Sequence, residues 1–269
     1  MARFISAFDE YVGRMKIIEQ SGFSLPKDWA AVYQRLLDYQ ALTTPAKDRL
    51  VAAVSDPTSD ADVVGLRADA YAEAAENIKV NTAVIAGVHA KLRDIYSRHA
   101  ARIYSEVAEK FNKTAEKFAG VCSVVDVEAD SRPLLSAPAE QRAAYTQAPL
   151  LATELSALLP AVQAAAYFCG AEVFGKQNEP TLLALAVDAK AAHRRRLWTA
   201  WETTGGNTGR WAPIIKCGAA ICAAANPATL RPYRIPAPMV EKVEERNGII
   251  YHIKTDPEDD VSSVSKAAG

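Results

Sequence analysis

Residues 60–118 read DADVVGLRADAYAEAAENIKVNTAVIAGVHAKLRDIYSRHAARIYSEVAEKFNKTAEKF, with no proline and only Gly65 and Gly87 as glycines. Val64, Tyr71, Ile78, Ile85 and Leu92 fall every seven residues. Ala68, Ala75, Val88, Ile95 and Tyr96 fill much of the same face, and Tyr104, Phe111 and Phe118 resume the interval after one change of register. This spacing predicts helix throughout. Unbroken, about 59 residues at 1.5 Å each would span roughly 88 Å. A seven-residue repeat sustained this long suits a helix lying lengthwise against a partner, as in a coiled coil. The alternative is two antiparallel helices broken near Asn81-Thr82 or Gly87 and folded as a hairpin.

On the N-terminal side, Phe4, Ile5, Phe8, Tyr11, Val12, Met15 and Ile18 form one apolar stripe that Ser21-Gly22 ends. A second helix follows Ser24 and Pro26, with Trp29, Val32, Tyr33, Leu36 and Leu37 on one face. Thr44-Pro45 opens a third that runs to about Val54. On the C-terminal side, Val121 to Val127 is rich in β-branched residues and predicts a short strand. Pro149 and Pro160 divide an Ala/Leu-rich stretch into helices at about 138–147, 150–159 and 161–174. Asn178-Glu179-Pro180 opens another, expected to run through Trp198 and Trp201 to Gly205-Gly206. Pro213 starts the last, whose apolar body from Ile214 to Ala225 reads as a central core helix.

From Asn226 the chain changes character. Pro227, Pro232, Pro236 and Pro238 hold it extended. Val240–Arg246 and Ile249–Lys254 then flank Asn247-Gly248, the strongest short-range hairpin signal, and pairing about that turn sets Glu241 opposite Lys254. Asp256, Glu258, Asp259 and Asp260, followed by Ser and Ala, read as an acidic disordered tail. The expected fold is mainly α: a helical bundle with one long helix or helical hairpin (about 60–118) plus a small C-terminal β-hairpin. Three regions are expected. They are a helical region with the long helix (1–120), an Ala/Leu-rich helical domain (121–226), and a proline-rich arm with hairpin and acidic tail (227–269).

With 269 residues, 49% of them hydrophobic, the chain can bury a sizeable core. Its 31 basic and 32 acidic residues leave a net charge of −1, which gives no global pull toward nucleic acid or anionic membranes. No run approaches 18 strongly apolar residues, so membrane insertion is not expected, and the N-terminus lacks the features of a signal peptide. Cys122, Cys169, Cys217 and Cys222 form no C-x-x-C pair and read as small apolar residues in a reducing, cytoplasmic setting. His89, His99, His193 and His252 have no partner at zinc-ligand spacing, so no metal site is expected.

Gly170-Ala171-Glu172-Val173-Phe174-Gly175-Lys176-Gln177 matches the first seven positions of a phosphate-binding loop, but Gln177 lacks the required hydroxyl and Pro180 follows within a turn. Its approach, Ala161 to Cys169, looks helical where a strand is needed. The match is read as accidental. His193, Arg194, Arg195 and Arg196, with Arg210 and the nearby Trp198, Trp201 and Trp211, form the one dense basic cluster. Basic residues interleaved with aromatics bind phosphate backbones and stack bases, which makes this the candidate nucleic-acid patch. The competing reading has the arginines paired with carboxylates and the tryptophans in the core. Gly205–Gly209 beside it is either a lid or a connector. Glu73, Glu76, Glu106, Glu109 and Glu116 follow the polar face of the long segment and read as solubilising charges. No catalytic motif, dinucleotide fingerprint, cofactor site or small-molecule substrate site is legible.

These features lead to a non-enzymatic structural protein that self-associates as a homo-oligomer, of the kind that builds viral or phage particles as a capsid or scaffold component, placed in the cytoplasm or virion. Val64, Tyr71, Ile78, Ile85 and Leu92 are its candidate oligomer seam. Pro232, Tyr233, Ile249, Tyr251 and Ile253 mark a candidate inter-subunit arm. A helical nucleic-acid binder using Arg194–Arg196 is the alternative, and an enzyme with an unfamiliar site the third reading.

Overall fold

The computed structural model describes residues 7–41, 45–130, 132, 136–174, 178–246 and 249–259. The chain is mainly helical, at 68% helix. It divides into two compact units, one of residues 1–12 and 24–101, the other of 13–23 and 102–269.

In the first unit, α2 (Lys27–Gln40) and α3 (Pro45–Ser55) pack against α4 (Val63–Ser97). The first residues of α1 (Ala7–Gln20) join them through Tyr11. Its phenol donates to the Leu92 carbonyl (3.0 Å) and accepts from the Trp29 indole N–H (3.0 Å). Burial pushes the Tyr11 hydroxyl up to about 12. The Trp29 ring stacks on Tyr33 at 5.1 Å. Both long-range helix contacts carry a polar tie: Tyr39 donates to Asn81, and the Glu73 carboxylate accepts from the Ala46 N–H (3.1 Å), an otherwise unpaired donor at the start of α3. Asp62 caps α4, accepting from the N–H groups of Val64 (3.1 Å) and Gly65 (3.0 Å).

The long segment is thus two helices. The break falls at Arg98-His99, not near Asn81 or Gly87, and α5 follows at Ala100–Val124. Ser97 and Arg98 both turn back onto the Asp94 carbonyl, closing the end of α4.

In the second unit, α5 buries Ile103, Tyr104, Val107, Phe111 and Phe118 on one stripe. The helix continues to Val124, so the strand expected at 121–127 does not form; Val121 simply extends the buried stripe. The expected breaks at Pro149 and Pro160 also do not occur, and α6 runs unbroken over Ala139–Phe168. Each proline removes one hydrogen bond, to the carbonyl four residues back. Those carbonyls belong to half-buried Tyr145 and exposed Ser156, where solvent can reach them. The opposite face buries a continuous row that includes Ala148, Leu155, Ala161 and Ala165, which offsets the loss. An 18-residue window of α6 is apolar enough to span a membrane, with 50% of it buried inside the protein.

The helix expected from Asn178 to Gly205 is split. After α7 (Glu179–Ala186), β1 (Val187–Asp188) pairs antiparallel with β2 (Ala220–Ile221) before α8 (Arg194–Glu202) begins. The expected core helix after Pro213 is likewise short: α9 (Trp211–Lys216) ends at Gly218, whose φ of +89° only glycine adopts cheaply. Trp211 is the hub. Its ring meets Phe111 and Trp201 edge-on, and its N–H donates to Ser156 (2.8 Å).

The C-terminal hairpin forms as expected. β3 (Val240–Arg246) pairs with β4 (Ile249–Thr255), setting Glu241 opposite Lys254 and Arg246 opposite Ile249. The turn residues Asn247 and Gly248 lie outside the described residues.

Candidate functional site

Three arginines open α8, where the positive end of the helix dipole repels them and the N-cap residue, His193, makes no side-chain capping hydrogen bond. The arrangement stands because carboxylates come to meet them. Of the acidic tail expected from composition, residues 256–259 form a docked turn, in which Asp256 accepts from the Glu258 N–H (2.9 Å), as turn-forming aspartates do; residues 260–269 lie outside the described residues.

Arg195 grips Asp256 at two points, Nε to Oδ2 at 2.5 Å and Nη2 to Oδ1 at 2.9 Å. Arg194 meets the buried Glu258 at 2.5 Å. Glu258 in turn accepts from the Ala237 N–H (3.0 Å), and Arg195 donates to the Ala237 carbonyl. The Arg195 guanidinium holds the Asp256 carboxyl down at about 2. His193 Nε2 lies 3.2 Å from Asp259 Oδ1.

His193, Arg195, Asp256 and Asp259 line an open cleft of about 680 Å³, shared with Arg196, Thr199, Thr203 and Lys216. Lys216 pairs with Asp126 at 2.6 Å. Beside the cleft, the Gly205–Gly209 loop is fastened: Glu128 accepts from the Thr208 N–H (3.1 Å) and hydroxyl, and Asn207 donates to the Tyr145 hydroxyl (3.0 Å). It is a latched connector.

The predicted nucleic-acid patch is therefore largely engaged within the chain. Arg194 and Arg195 are neutralised by Glu258 and Asp256, and half-buried Arg210 stacks 4.2 Å over the Trp201 ring. Desolvation lowers the Arg210 pKa. Arg196 alone of the set is exposed. Trp198, Trp201 and Trp211 are buried core residues.

The candidate seam comes apart along α4. Val64 is 80% exposed and Tyr71 63%, Ile85 is half-buried, and Leu92 is fully buried in its own unit. The Ile78 side chain lies outside the described residues. A straight helix has 3.6 residues per turn, so a stripe spaced by seven rotates about 20° per heptad, roughly 80° from Val64 to Leu92. The stripe winds from solvent into the core, and Leu92 is no seam residue.

Of the candidate arm, Tyr233 is held within its own unit. Tyr233 donates to the Val187 carbonyl (2.9 Å) and accepts from the Ala189 N–H (2.9 Å), while its backbone N–H bonds to Pro180. The Trp198 indole donates to the Arg234 carbonyl (3.0 Å). The approach to the hairpin thus lies on its own unit; Pro232 is exposed within it, and the side chains of Ile249, Tyr251 and Ile253 lie outside the described residues.

Of the expected surface carboxylates, Glu73 has a structural role at α3, Glu106 pairs with Arg102, and Glu109 with Lys113 at 2.5 Å. The phosphate-loop lookalike follows α6, a helix, and its Gly175–Gln177 lie outside the described residues. The four cysteines are half-buried and form no disulfide, and burial raises the thiols of Cys122, Cys169 and Cys222.

Comparison with protein-family models, with curated proteins and with solved structures gave no match.

Proposed function

We propose that the chain is a non-enzymatic assembly protein that associates with further copies of itself through the first unit, as a component of a larger particle of capsid or scaffold type. One observation carries this reading. Either side of the turn between α3 and α4, large apolar side chains are exposed: Val51 (55%) and Val54 (65%) near the end of α3, Val63 (40%) and Val64 (80%) at the start of α4. Tyr71 (63%) lies two turns further along the Val64 stripe. Single exposed apolar residues are ordinary; several of them close in sequence around one helical turn support an interaction surface there. A second copy suits it because the heptad from Val64 to Tyr71 is already spaced for a like helix, and a net charge of −1 sets up little repulsion between copies.

The nucleic-acid alternative has weaker support, since two of its arginines are held by the chain's own carboxylates. Sedimentation velocity on the intact chain and on the Val64→Asp/Tyr71→Asp double variant tests the reading. The intact chain should sediment as an oligomer and the variant as a smaller species with unchanged circular dichroism. Equal sedimentation of the two would remove this surface from assembly.

A further inference from the structure

We propose that His193, Asp256 and Asp259 form a binding site for one divalent transition-metal ion of the zinc, cobalt or manganese class. The three residues bring one ligand atom each within 4.8 Å of one another. Bonds of 2.0–2.2 Å in tetrahedral coordination put ligand atoms about 3.3–3.6 Å apart, so a closure of up to about 1.3 Å seats all three. Asp259 can supply that movement, because its side chain is 70% exposed.

The independent sign is the imidazole. Both ring nitrogens of His193 are buried, and neither has a hydrogen-bond partner among the described residues. Nε2 approaches Asp259 at 3.2 Å but outside hydrogen-bond geometry. A buried polar atom left so is destabilising, and a ligated ion is one of the few things that explains it.

The electrostatics agree. Around His193, the carboxylates of Asp256, Glu258 and Asp259 outnumber the arginines they meet, Arg194 and Arg195. The Asp256 grip on Arg195 orients the carboxylate in the way outer-shell partners orient metal ligands. One imidazole with two carboxylates favours a transition metal over calcium or magnesium. The trio is also among the residues that line the 680 Å³ cleft, with Arg196 nearby. Sequence spacing conceals the set, because Asp256 follows His193 by 63 residues.

The test is titration of the chelator-treated full chain with Co²⁺, followed by visible absorption, with Zn²⁺ as competitor. The site requires one equivalent of Co²⁺ with d–d bands, no near-ultraviolet thiolate band, displacement by Zn²⁺, and at least tenfold weaker binding in His193→Ala. Asp259→Asn, at an exposed position, should weaken binding as well while leaving the fold intact, and covers the case in which the His193 variant does not fold. Absence of saturable one-equivalent binding overturns the proposal. So does binding unchanged in a folded variant, or a thiolate band that assigns the ion to cysteine.

Discussion

The guanidinium of Arg195 and the carboxylate of Asp256 form a two-point ion pair across 61 residues of chain, with contacts of 2.5 and 2.9 Å. It is the clasp that fixes the segment after the hairpin to the start of α8. Asp256 titrates at about 2 when folded, against about 3.9 for a free aspartate. A depressed carboxyl contributes stability that is complete above its unfolded value and is lost as pH falls through the folded one. The clasp should therefore hold above about pH 4 and open between there and pH 2. Thermal unfolding across this window should show a fall in midpoint that Asp256→Asn reduces, the variant already being less stable at neutral pH.

Gly206 stands at φ +80°, and a Cβ there would run into the Glu128 carboxylate that holds Thr208. Gly206→Ala should cost about 1–2 kcal/mol for the left-handed backbone alone, and more because the Glu128 latch must shift. Denaturant unfolding measures it. Gly205→Ala, where a Cβ meets nothing within 4 Å, should cost less.

Tyr11→Phe removes the hydroxyl that accepts from Trp29 and donates to Leu92. The Trp29 indole N–H, in a residue 3% exposed, would lose that partner. A loss of about 1–3 kcal/mol is expected, read as a lower unfolding midpoint with an unchanged denaturant slope.

Along α4, the same heptad predicts opposite outcomes at its two ends. Leu92→Ala should destabilise the first unit by about 2–5 kcal/mol, because the side chain is fully buried. Val64→Ala should change the stability of the dilute, dissociated chain by no more than about 0.5 kcal/mol, because there that side chain is 80% exposed. Chemical denaturation of the two variants checks the contrast.

The helix and its repeat were legible in residues 60–118, because periodicity is local. Which part of the stripe faces inward was not, because that depends on the accumulated 20° drift and on where α2 and α3 lie. The hairpin register was legible because a two-residue turn determines it, as Glu241 opposite Lys254 shows. Pro149 and Pro160 misled because the row of buried alanines and leucines, a tertiary effect, outweighs a local break. The acidic run at 256–259 misled for the opposite reason: composition alone describes a solvated tail, and its ordering depends on Arg194 and Arg195, more than 60 residues upstream. His193 belongs to the same lesson, since its neighbours Asp256 and Asp259 are far beyond any spacing rule.

Self-association is tested most directly by the mass of the intact chain in solution, measured by light scattering over a concentration series at low and at 1 M salt. An apolar contact through Val51, Val54, Val64 and Tyr71 predicts a multiple of 29.0 kDa that persists at high salt. A mass of 29.0 kDa at every concentration would contradict it.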